Sequence, residues 1–319
     1  MFVLAPDFSQ QNSHARTLTV VIAVYNAEAS LPELCRRLSE VLPRVATQCE
    51  IILVNDGSLD RSWEVISELS SQSPIVRGLC LMRNYGQHNA LLCGIRTAKY
   101  EVIVTMDDDL QHPPEEIPRL LARLHEGFDV VYGAPKTERH ALLRALASRI
   151  TRLVLSTAIG SEIAKNVSAF RVFRTRLREA FADYQSPFVS IDVLLTWATT
   201  RFAAVTVPFQ RRHSGSSNYT FTKLVRHALD MLTGFSTAPL QLASLIGFAC
   251  TLFGIGVFFY VIGRYFLEGS LPGFPFLASI IAIFSGAQLF ALGVIGEYLA
   301  RMHFRSMKRP AYVVRTTTT

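Results

Sequence analysis

Three consecutive aspartates, Asp107, Asp108 and Asp109, are the residues with the clearest chemical potential in this sequence, and Gln111 follows two positions later. They come directly after a short β-branched run, Val102–Met106, and two prolines end the segment. Oxygen ligands spaced two apart suit a hard divalent cation that also holds a diphosphate. The alternative interpretation is a solvated acidic turn, because an Asp-x-Asp pattern alone is a weak motif.

An alternation of apolar and helical segments predicts where these carboxylates lie. Five apolar runs are predicted to be strands, at residues 18–24, 50–54, 76–81, 102–106 and 129–133. Helical segments separate them, and this β-α-β alternation indicates an α/β fold with a doubly wound, mostly parallel sheet. Ligands of such open sheets bind beyond the carboxyl ends of the strands.

Polar clusters follow four of the predicted strands. They contain the side chains of Tyr25, Asn26, Glu28, Asp56, Arg83, Gln87, Asp107, Asp109 and Gln111. Because the carboxyl ends of parallel strands meet at one edge, four clusters favour a binding site over four unrelated turns. The sequence has neither a GxGxxG after the first strand nor a GxxxxGK[ST], which disfavours a dinucleotide site and a P-loop phosphotransferase.

The composition indicates a basic protein that associates with lipid. Half of the 319 residues are hydrophobic, 18% are charged, and the formal net charge is +7. A basic surplus is typical of proteins that bind nucleic acid, anionic lipid or phosphorylated substrates. No nucleic-acid signature occurs, which favours lipid and phosphate over nucleic acid. The five cysteines are scattered without a CxxC, as is typical of reduced thiols facing a cytosol.

Two long apolar stretches near the C-terminus predict a transmembrane hairpin, with spans at 237–263 and 271–298 inside a segment 237–300. Each exceeds the roughly 20 apolar residues that cross a bilayer. Basic residues flank the hairpin at Lys223, Arg226, Arg301, Arg305, Lys308 and Arg309. By the positive-inside rule, the catalytic domain and both termini are expected on the cytoplasmic side of a bacterial inner membrane. In the tail, 301–319, we expect Thr316–Thr319 to be disordered.

Amphipathic and basic segments connect the predicted catalytic domain, 1–220, to the hairpin. Residues 221–236 are predicted to form a helix in the membrane interface. Residues 140–157 form either a second interfacial helix or an ordinary surface helix packed on the core. The Gly/Ser-rich basic loop 211–219 suits a phosphate, and its alternative interpretation is a flexible linker.

Five motifs of this sequence, in their order and spacing, resemble those of the polyisoprenyl-phosphate glycosyltransferases, inverting family-two enzymes with a GT-A catalytic domain. The motifs are Val24-Tyr25-Asn26, Asn55-Asp56-Gly57-Ser58, Arg83-Asn84-Tyr85-Gly86-Gln87, Asp107-Asp108-Asp109-Leu110-Gln111-His112-Pro113-Pro114 and Arg212-His213-Ser214-Gly215-Ser216-Ser217-Asn218-Tyr219. The resemblance covers nearly the whole chain, including the hairpin. Stretches 83–88 and 111–120 are most similar to the family's undecaprenyl-phosphate formamido-arabinose and bactoprenol glucosyl transferases.

The resemblance implies that the chain transfers a hexosyl or pentosyl group from a UDP-sugar to undecaprenyl phosphate, with Mg²⁺ or Mn²⁺ as cofactor. Residues implied to bind the UDP-sugar are Tyr25, Asn26, Glu28, Asp56, Arg83, Gln87 and Asp108. Residues implied to hold the metal are Asp107, Asp109 and Gln111. Residues implied to take the acceptor phosphate are Arg171, Arg212, Ser217 and Tyr219. The catalytic set is Asp107, Asp109 and Arg212. Homotetramers in the family imply a homo-oligomer.

Two departures from the family pattern concern the identity of the sugar. Many members read Gly-Asp-Phe-Arg where this chain has Ser168-Ala169-Phe170-Arg171. The contacts of that aspartate, to a sugar or to an arginine, are therefore expected to be absent. The tract Ala134-Pro135-Lys136 lacks a common arginine, which Lys136 or Arg139 is expected to replace.

Two rival functions follow from the same sequence. A processive polysaccharide synthase would share the fold, but two spans are too few for a channel and no QxxRW occurs. A non-catalytic membrane scaffold with a degenerate transferase domain is the other rival. The intact set of Asp107, Asp109 and Gln111 argues against the scaffold, because a chain without catalysis has no need of three metal ligands.

Overall fold

The computed structural model describes residues 15–135, 166–210, 238–268, 273–307 and 309–318. The chain divides into two units, Met1–Thr220 together with Arg309–Thr319, and Phe221–Lys308. The predictions for 140–157, 211–219, 221–236, Lys136 and Arg139 lie outside the described residues.

An eight-stranded, mostly parallel sheet forms the centre of the first unit, as predicted. Its strands are β1 (Ala15–Val24), β2 (Ala46–Asn55), β3 (Val76–Leu81), β4 (Val102–Met106), β5 (Val130–Pro135), β6 (Arg171–Arg174), β7 (Phe202–Val207) and β8 (Val314–Thr317). Their spatial order is β7-β5-β6-β4-β1-β2-β3-β8. Neighbours are parallel except where β6 meets β4 and β5, and where β8 meets β3.

Five α-helices and three short 3₁₀ helices of this unit are described. The α-helices are α1 (Leu31–Val41), α2 (Ser62–Gln72), α3 (Gln87–Thr97), α4 (Ile117–His125) and α5 (Ile191–Ala198). The 3₁₀ helices are Leu42–Arg44, Pro114–Glu116 and Thr175–Phe181. Three consecutive β1 residues, Val20, Val21 and Ile22, are fully buried. A parallel strand covered on both faces carries a continuous apolar run, which explains why the central strands were visible in the sequence.

The prediction of disorder over Thr316–Thr319 is wrong for Thr316 and Thr317, because they belong to β8; Thr319 lies outside the described residues. In the antiparallel pairing of β8 with β3, Thr317 lies opposite Leu79 and Thr316 opposite Cys80. β-Branched threonine fits a pleated strand well. A short polar run at the end of a chain carries no apolar signal, however, and its partner strand is distant in sequence.

Two long helices, α6 (Ala238–Glu268) and α7 (Phe274–Ser306), make up the described part of the second unit. At 1.5 Å per residue they are about 46 and 50 Å long, against roughly 30 Å of bilayer hydrocarbon. The most apolar 18-residue windows of Pro239–Leu267 and Ile283–Ala300 contain no buried residue. A core helix of a soluble protein would be covered by other elements. The prediction of two apolar C-terminal helices that could cross a membrane is confirmed.

Aromatic packing joins α6 to α7. The rings of Phe253 and Phe284 stack with centroids 6.5 Å apart. A side chain at Gly254 would place its Cβ 2.8 Å from the Phe284 ring, so a glycine is needed for this close approach. The two helices therefore form a packed pair rather than independent segments.

Candidate active site

The carboxyl ends of β1, β2, β3 and β4 meet at one edge of the sheet, because these four strands are parallel neighbours. The predicted donor and metal residues all follow these ends, and they are Tyr25, Asn26, Glu28, Asp56, Arg83, Gln87, Asp107, Asp108, Asp109 and Gln111. The structure thus brings together the four clusters that the sequence placed at separate strand ends.

Asp56 lies at the centre of this edge and is 2% exposed. Its two carboxylate oxygens accept the backbone N–H groups of Tyr85 at 2.7 Å and Gly86 at 2.8 Å. Burial raises the pKa of Asp56 to about 6, against the opposing effects of these hydrogen bonds and of the Arg83 charge. The Arg83 guanidinium lies 4.4 Å from the centre of the Tyr85 ring. The β3–α3 loop therefore forms a cradle around the Asp56 carboxylate.

Gly57 keeps this cradle closed, although it was not among the predicted site residues. Its φ is +66°, and an added Cβ would lie 2.5 Å from the backbone nitrogen of Asn84 and 2.6 Å from the carbonyl carbon of Arg83. Both the left-handed backbone and the close approach of the next loop require glycine. The signal available in the sequence was the Asn-Asp-Gly turn after β2.

The loop after β1 is fastened to the loop after β2. Asn26 has a φ of 54°; its side-chain oxygen accepts the N–H of Leu59 at 2.8 Å, and its own N–H donates to Ser58 Oγ at 3.1 Å. Glu28 accepts the N–H of Arg61 at 2.9 Å. In this arrangement the side chains of Asn26 and Glu28 position a neighbouring backbone.

Asp108 joins the acidic motif to the end of β1. Its carboxylate accepts the backbone N–H of Tyr25 at 3.1 Å. Burial, together with the charges of Asp107 and Asp109, raises the pKa of Asp108 to about 7, against the opposing effect of the bond from Tyr25. The Tyr25 ring is 39% exposed at this edge. The middle aspartate therefore holds the β1 loop in place, a role that spacing alone did not reveal.

Asp107 and Asp109, the outer aspartates, are oriented by neighbouring amides. Gln87 donates its side-chain N–H to Asp107 at 2.6 Å, and Gln111 donates its backbone N–H to Asp109 at 3.1 Å. Leu110 between them has a φ of 61°. Because Gln87 is the first residue of α3, the positive end of that helix dipole lies beside Asp107.

The oxygen ligands of this motif fit a divalent metal only as part of a larger shell. No group of three His, Cys, Asp or Glu side chains within the described ranges converges closely enough to hold a metal. Mg²⁺ in nucleotide enzymes is commonly bound through one or two carboxylates, with substrate phosphates and water completing the shell. Asp107 and Asp109 provide such carboxylates and Gln111 an amide oxygen, so the residues fit a cation that arrives with a diphosphate.

Arg171 lies opposite Thr105 near the carboxyl end of β4, and its burial in an ion pair does not favour its expected contact with a lipid phosphate. It is 1% exposed and ion-paired with Asp192. Its Nε donates to Thr105 Oγ1 at 3.0 Å, and the Tyr132 hydroxyl donates to Asp192 at 3.1 Å. Ala169 stands where many family members have an aspartate that could pair with an arginine. In this chain Asp192 of α5 provides a carboxylate for Arg171 instead.

The segment after β7 returns to the acidic motif. Gln210 donates its backbone N–H to the carbonyl of Gln111 at 2.9 Å. The Phe209 ring packs edge-on against His112, with centroids 5.3 Å apart. Arg212, Ser217 and Tyr219 of the basic loop follow in the sequence but lie outside the described residues. The last residues before the basic loop, Phe209 and Gln210, therefore contact the acidic motif.

His112, which was not predicted as a site residue, lies under this junction. It is 6% exposed, and burial lowers the pKa of His112. Its Nδ1 has no hydrogen-bond partner within the described residues, and Ser168 Oγ lies 3.4 Å from Nε2. His112 contributes chiefly by packing between the acidic motif and Phe209.

A pH effect follows from the burial of Asp56. Its pKa is raised from 3.8 to about 6, so ionisation costs more in the folded chain than in the unfolded one. Its contribution to the free energy of unfolding is fully present below about pH 4 and is lost as the pH rises through about 6. We expect a loss of up to about 3 kcal/mol, absent in Asp56→Asn. Urea titrations of both proteins across this range measure it, and parallel curves would contradict it.

Comparison with known proteins gives a consistent picture at the level of sequence. Residues 19–184 match the family described as Glycosyl transferase family 2. An undecaprenyl-phosphate 4-deoxy-4-formamido-L-arabinose transferase from Pectobacterium carotovorum subsp. carotovorum (strain PC1) is 35% identical, covering 95% of this chain and 94% of the relative. A protein of the same name from Shewanella sediminis (strain HAW-EB3) is 34% identical, covering 96% and 94%.

Solved structures resemble the first unit. Two crystal structures of glucosyl-3-phosphoglycerate synthase from Mycobacterium tuberculosis superpose with a TM-score of 0.51 at 16% identity and cover 68% of this chain. The superposed parts make up 78% and 77% of the two synthase chains. One contains Mn²⁺, UDP and glucosyl-3-phosphoglycerate, and the other contains Mn²⁺ and UDP-glucose. At this identity the likeness concerns the fold, and it confirms the predicted GT-A architecture.

Proposed function

This chain belongs to glycosyl transferase family 2, and on that premise we propose that it transfers a sugar from a UDP-sugar to a polyisoprenyl phosphate such as undecaprenyl phosphate. The relatives named above act on undecaprenyl phosphate by name. The observation that carries the proposal is the bond from Gln210 to Gln111. This bond holds Gln210, the residue that precedes the basic loop in the sequence, against the acidic motif. Transfer of a sugar from a diphosphate to a second phosphate needs an acidic, metal-binding segment and a basic segment together.

The cradled Asp56 suits the base of a uridine nucleotide. An ionised carboxylate only accepts hydrogen bonds, and each oxygen has more than one lone pair. Two backbone N–H groups occupy part of this capacity, which leaves room to accept the N3–H of uracil. Cytosine has a lone pair at that position and would be repelled. The exposed ring of Tyr25 at the same edge provides an apolar surface for the base.

The acidic motif suits the diphosphate and the leaving group. Asp107, Asp109 and Gln111 would hold Mg²⁺ or Mn²⁺, which when bound stabilises negative charge on the leaving diphosphate. Gln87 keeps Asp107 oriented through its 2.6 Å bond. The N-terminus of α3 adds a favourable field for a phosphate anion next to these carboxylates.

The acceptor chemistry explains the basic loop. A lipid phosphate is already an anion at neutral pH, so it needs no strong general base. One of its oxygens forms the bond to the anomeric carbon, the bond from that carbon to UDP breaks, and the leaving UDP takes the electron pair. Attack from the opposite side inverts the configuration. Arg212 would neutralise the incoming phosphate, which the donor diphosphate otherwise repels, and the hydroxyls of Ser217 and Tyr219 would donate hydrogen bonds to it.

The connectivity of the chain supports a hairpin with both ends on one side of a membrane. Residues before α6 and residues after α7 belong to the same folded unit, because β8 pairs with β3. They therefore lie on the same side of any bilayer that both helices cross. Together with the flanking Lys and Arg residues, this favours a cytoplasmic location for the catalytic unit and both termini.

A transfer assay tests the reaction and identifies the sugar. The full chain in detergent is given undecaprenyl phosphate with radiolabelled UDP-glucose, UDP-N-acetylglucosamine, UDP-galactose or UDP-formamido-arabinose, each with Mn²⁺ or EDTA. We expect label in the lipid phase from one donor, abolished by EDTA and absent with undecaprenol, which lacks the phosphate. If no donor labels the lipid although UDP binds, the scaffold interpretation replaces this proposal.

Arg212 should control use of the acceptor rather than of the donor. Replacing Arg212 by alanine removes a charged hydrogen-bond donor, and we expect kcat/KM for the lipid phosphate to fall roughly 10- to 100-fold. The KM for the UDP-sugar should stay within about twofold. Arg176→Ala, which removes an exposed arginine paired with Asp129, is the matched control. A loss confined to the donor KM would contradict the acceptor role.

A further inference from the structure

The last described residues of the chain contact β3, the helices α2 and α3, and Met82 at the start of the loop that leads into the donor site. The segment Ala311–Thr318, here called the clasp, contains β8 and follows both long helices in the sequence. We propose that the clasp positions the β3–α3 loop that cradles Asp56, so that the donor site is complete only after the chain has passed through α6 and α7. The proposal rests on the proposed function in taking this cradle as the site of the nucleotide.

The clasp is anchored at both ends. Near its end, Thr318 makes two hydrogen bonds with the Gly78 backbone: its own N–H donates to the Gly78 carbonyl at 3.0 Å, and its side-chain hydroxyl accepts the Gly78 N–H at 2.8 Å. The Ser70 hydroxyl of α2 lies 2.7 Å from the same hydroxyl. At its start, Ala311 is buried and the Tyr312 ring lies 5.9 Å from the Arg96 guanidinium of α3. The segment therefore spans the outer edge of the sheet from α2 to α3.

Met82 is the point at which the clasp holds the site loop. Its N–H donates to the carbonyl of Val313 at 2.9 Å, and its carbonyl accepts the Arg315 guanidinium at 2.9 Å. Both backbone groups of this residue are thus bound by the clasp. Met82 is the first residue after β3 and the last before Arg83, so the clasp fixes the direction in which the chain enters the loop.

Three residues after Met82, the β3–α3 loop begins to donate hydrogen bonds to the carboxylates at the edge of the sheet. Tyr85 and Gly86 donate their N–H groups to Asp56, and Gln87 donates to Asp107. Such a short connection transmits a displacement of Met82 to these donors, because each residue adds only two soft torsions. Loss of the clasp is therefore expected to loosen the Asp56 cradle without removing any residue that would touch the UDP-sugar.

The test uses the full chain with Arg315→Ala and Thr318→Val combined, and Thr316→Val as control. Thr316 belongs to the same strand, but its side chain makes none of these contacts. The double variant removes three hydrogen bonds, one made by Arg315 and two made by the Thr318 hydroxyl. Hydrogen exchange without ligand should therefore accelerate about tenfold or more at Tyr85 and Gly86. The KM for the UDP-sugar should rise about tenfold, with the KM for the lipid phosphate unchanged. A chain ending at Pro310, which keeps the flanking basic residues, should show a larger effect that added peptide 311–319 reverses.

The outcomes separate this inference from the proposed function. Faster exchange at Tyr85 and Gly86 with an unchanged donor KM would uphold the clasp and contradict the nucleotide role of Asp56. Faster exchange at Gly78 and Met82 alone would overturn the clasp, since β8 would then be only an edge strand. Uniformly faster exchange throughout the first unit would overturn it as well, because the tail would then serve general stability.

Discussion

Replacing Asp109 by alanine is expected to lower kcat for sugar transfer at least about 100-fold, a loss of about 3 kcal/mol or more of transition-state stabilisation. Asp109 provides one of the two outer carboxylates of the acidic motif, and Gln111 holds it in place through its backbone N–H. Without it a cation is held by fewer ligands, and the charge that develops on the leaving UDP is less well stabilised. Initial rates of label transfer at saturating donor and acceptor measure the effect.

Glu126→Ala provides the control for this variant. Glu126 is an exposed carboxylate at the end of α4, paired with Arg123, and surface pairs of this kind contribute between about 0 and 1 kcal/mol. Its removal should leave transfer unchanged. Asp109→Ala should also unfold at nearly the same urea concentration as the wild type, because the backbone N–H that bonds to Asp109 belongs to Gln111, two residues away in the same turn. An Asp109→Ala protein that keeps more than about a tenth of the wild-type rate would contradict the role of the motif.

The second large effect concerns stability. Asp192→Ala should lower the free energy of unfolding of the first unit by about 3–5 kcal/mol, because it leaves the buried Arg171 charge without its partner. The Tyr132 hydroxyl loses its acceptor in the same variant. Urea unfolding followed by tryptophan fluorescence measures the change.

A double variant distinguishes the charge from the packing at this position. Arg171→Met with Asp192→Leu removes both charges and keeps apolar volume, so it should be clearly more stable than Asp192→Ala alone. Asp192→Asn keeps an oxygen acceptor for Tyr132 and should fall between the wild type and alanine. A loss below about 1 kcal/mol in Asp192→Ala would show that Arg171 finds water or another acceptor and is not held by this pair.

Much of the catalytic edge could be predicted because it depends on local sequence. The central strands are buried on both faces and therefore appear as unbroken apolar runs. The residues that end them, such as Asp56 and Asp107, are placed at one edge by the parallel topology alone. The predicted membrane helices are equally local, since length and apolar composition suffice to identify them.

Contacts between segments distant in sequence could not be predicted in the same way. Arg171 resembled a phosphate ligand, and only the position of α5 shows that Asp192 neutralises it. The role of Asp108 depends on the backbone of Tyr25 and not on its own spacing. β8 was missed because a polar strand acquires its partner, β3, only in the folded sheet.

The measurement that tests the central claim most directly is the simultaneous yield of both products. The full chain in lipid nanodiscs with undecaprenyl phosphate, Mn²⁺ and a UDP-sugar labelled in the sugar is quenched at intervals, and UDP and lipid-linked label are counted. We expect one UDP for each sugar in the lipid phase, with both products lost in Asp109→Ala. UDP released without lipid label when the phosphate acceptor is present, or lipid label that persists in Asp109→Ala, would contradict it.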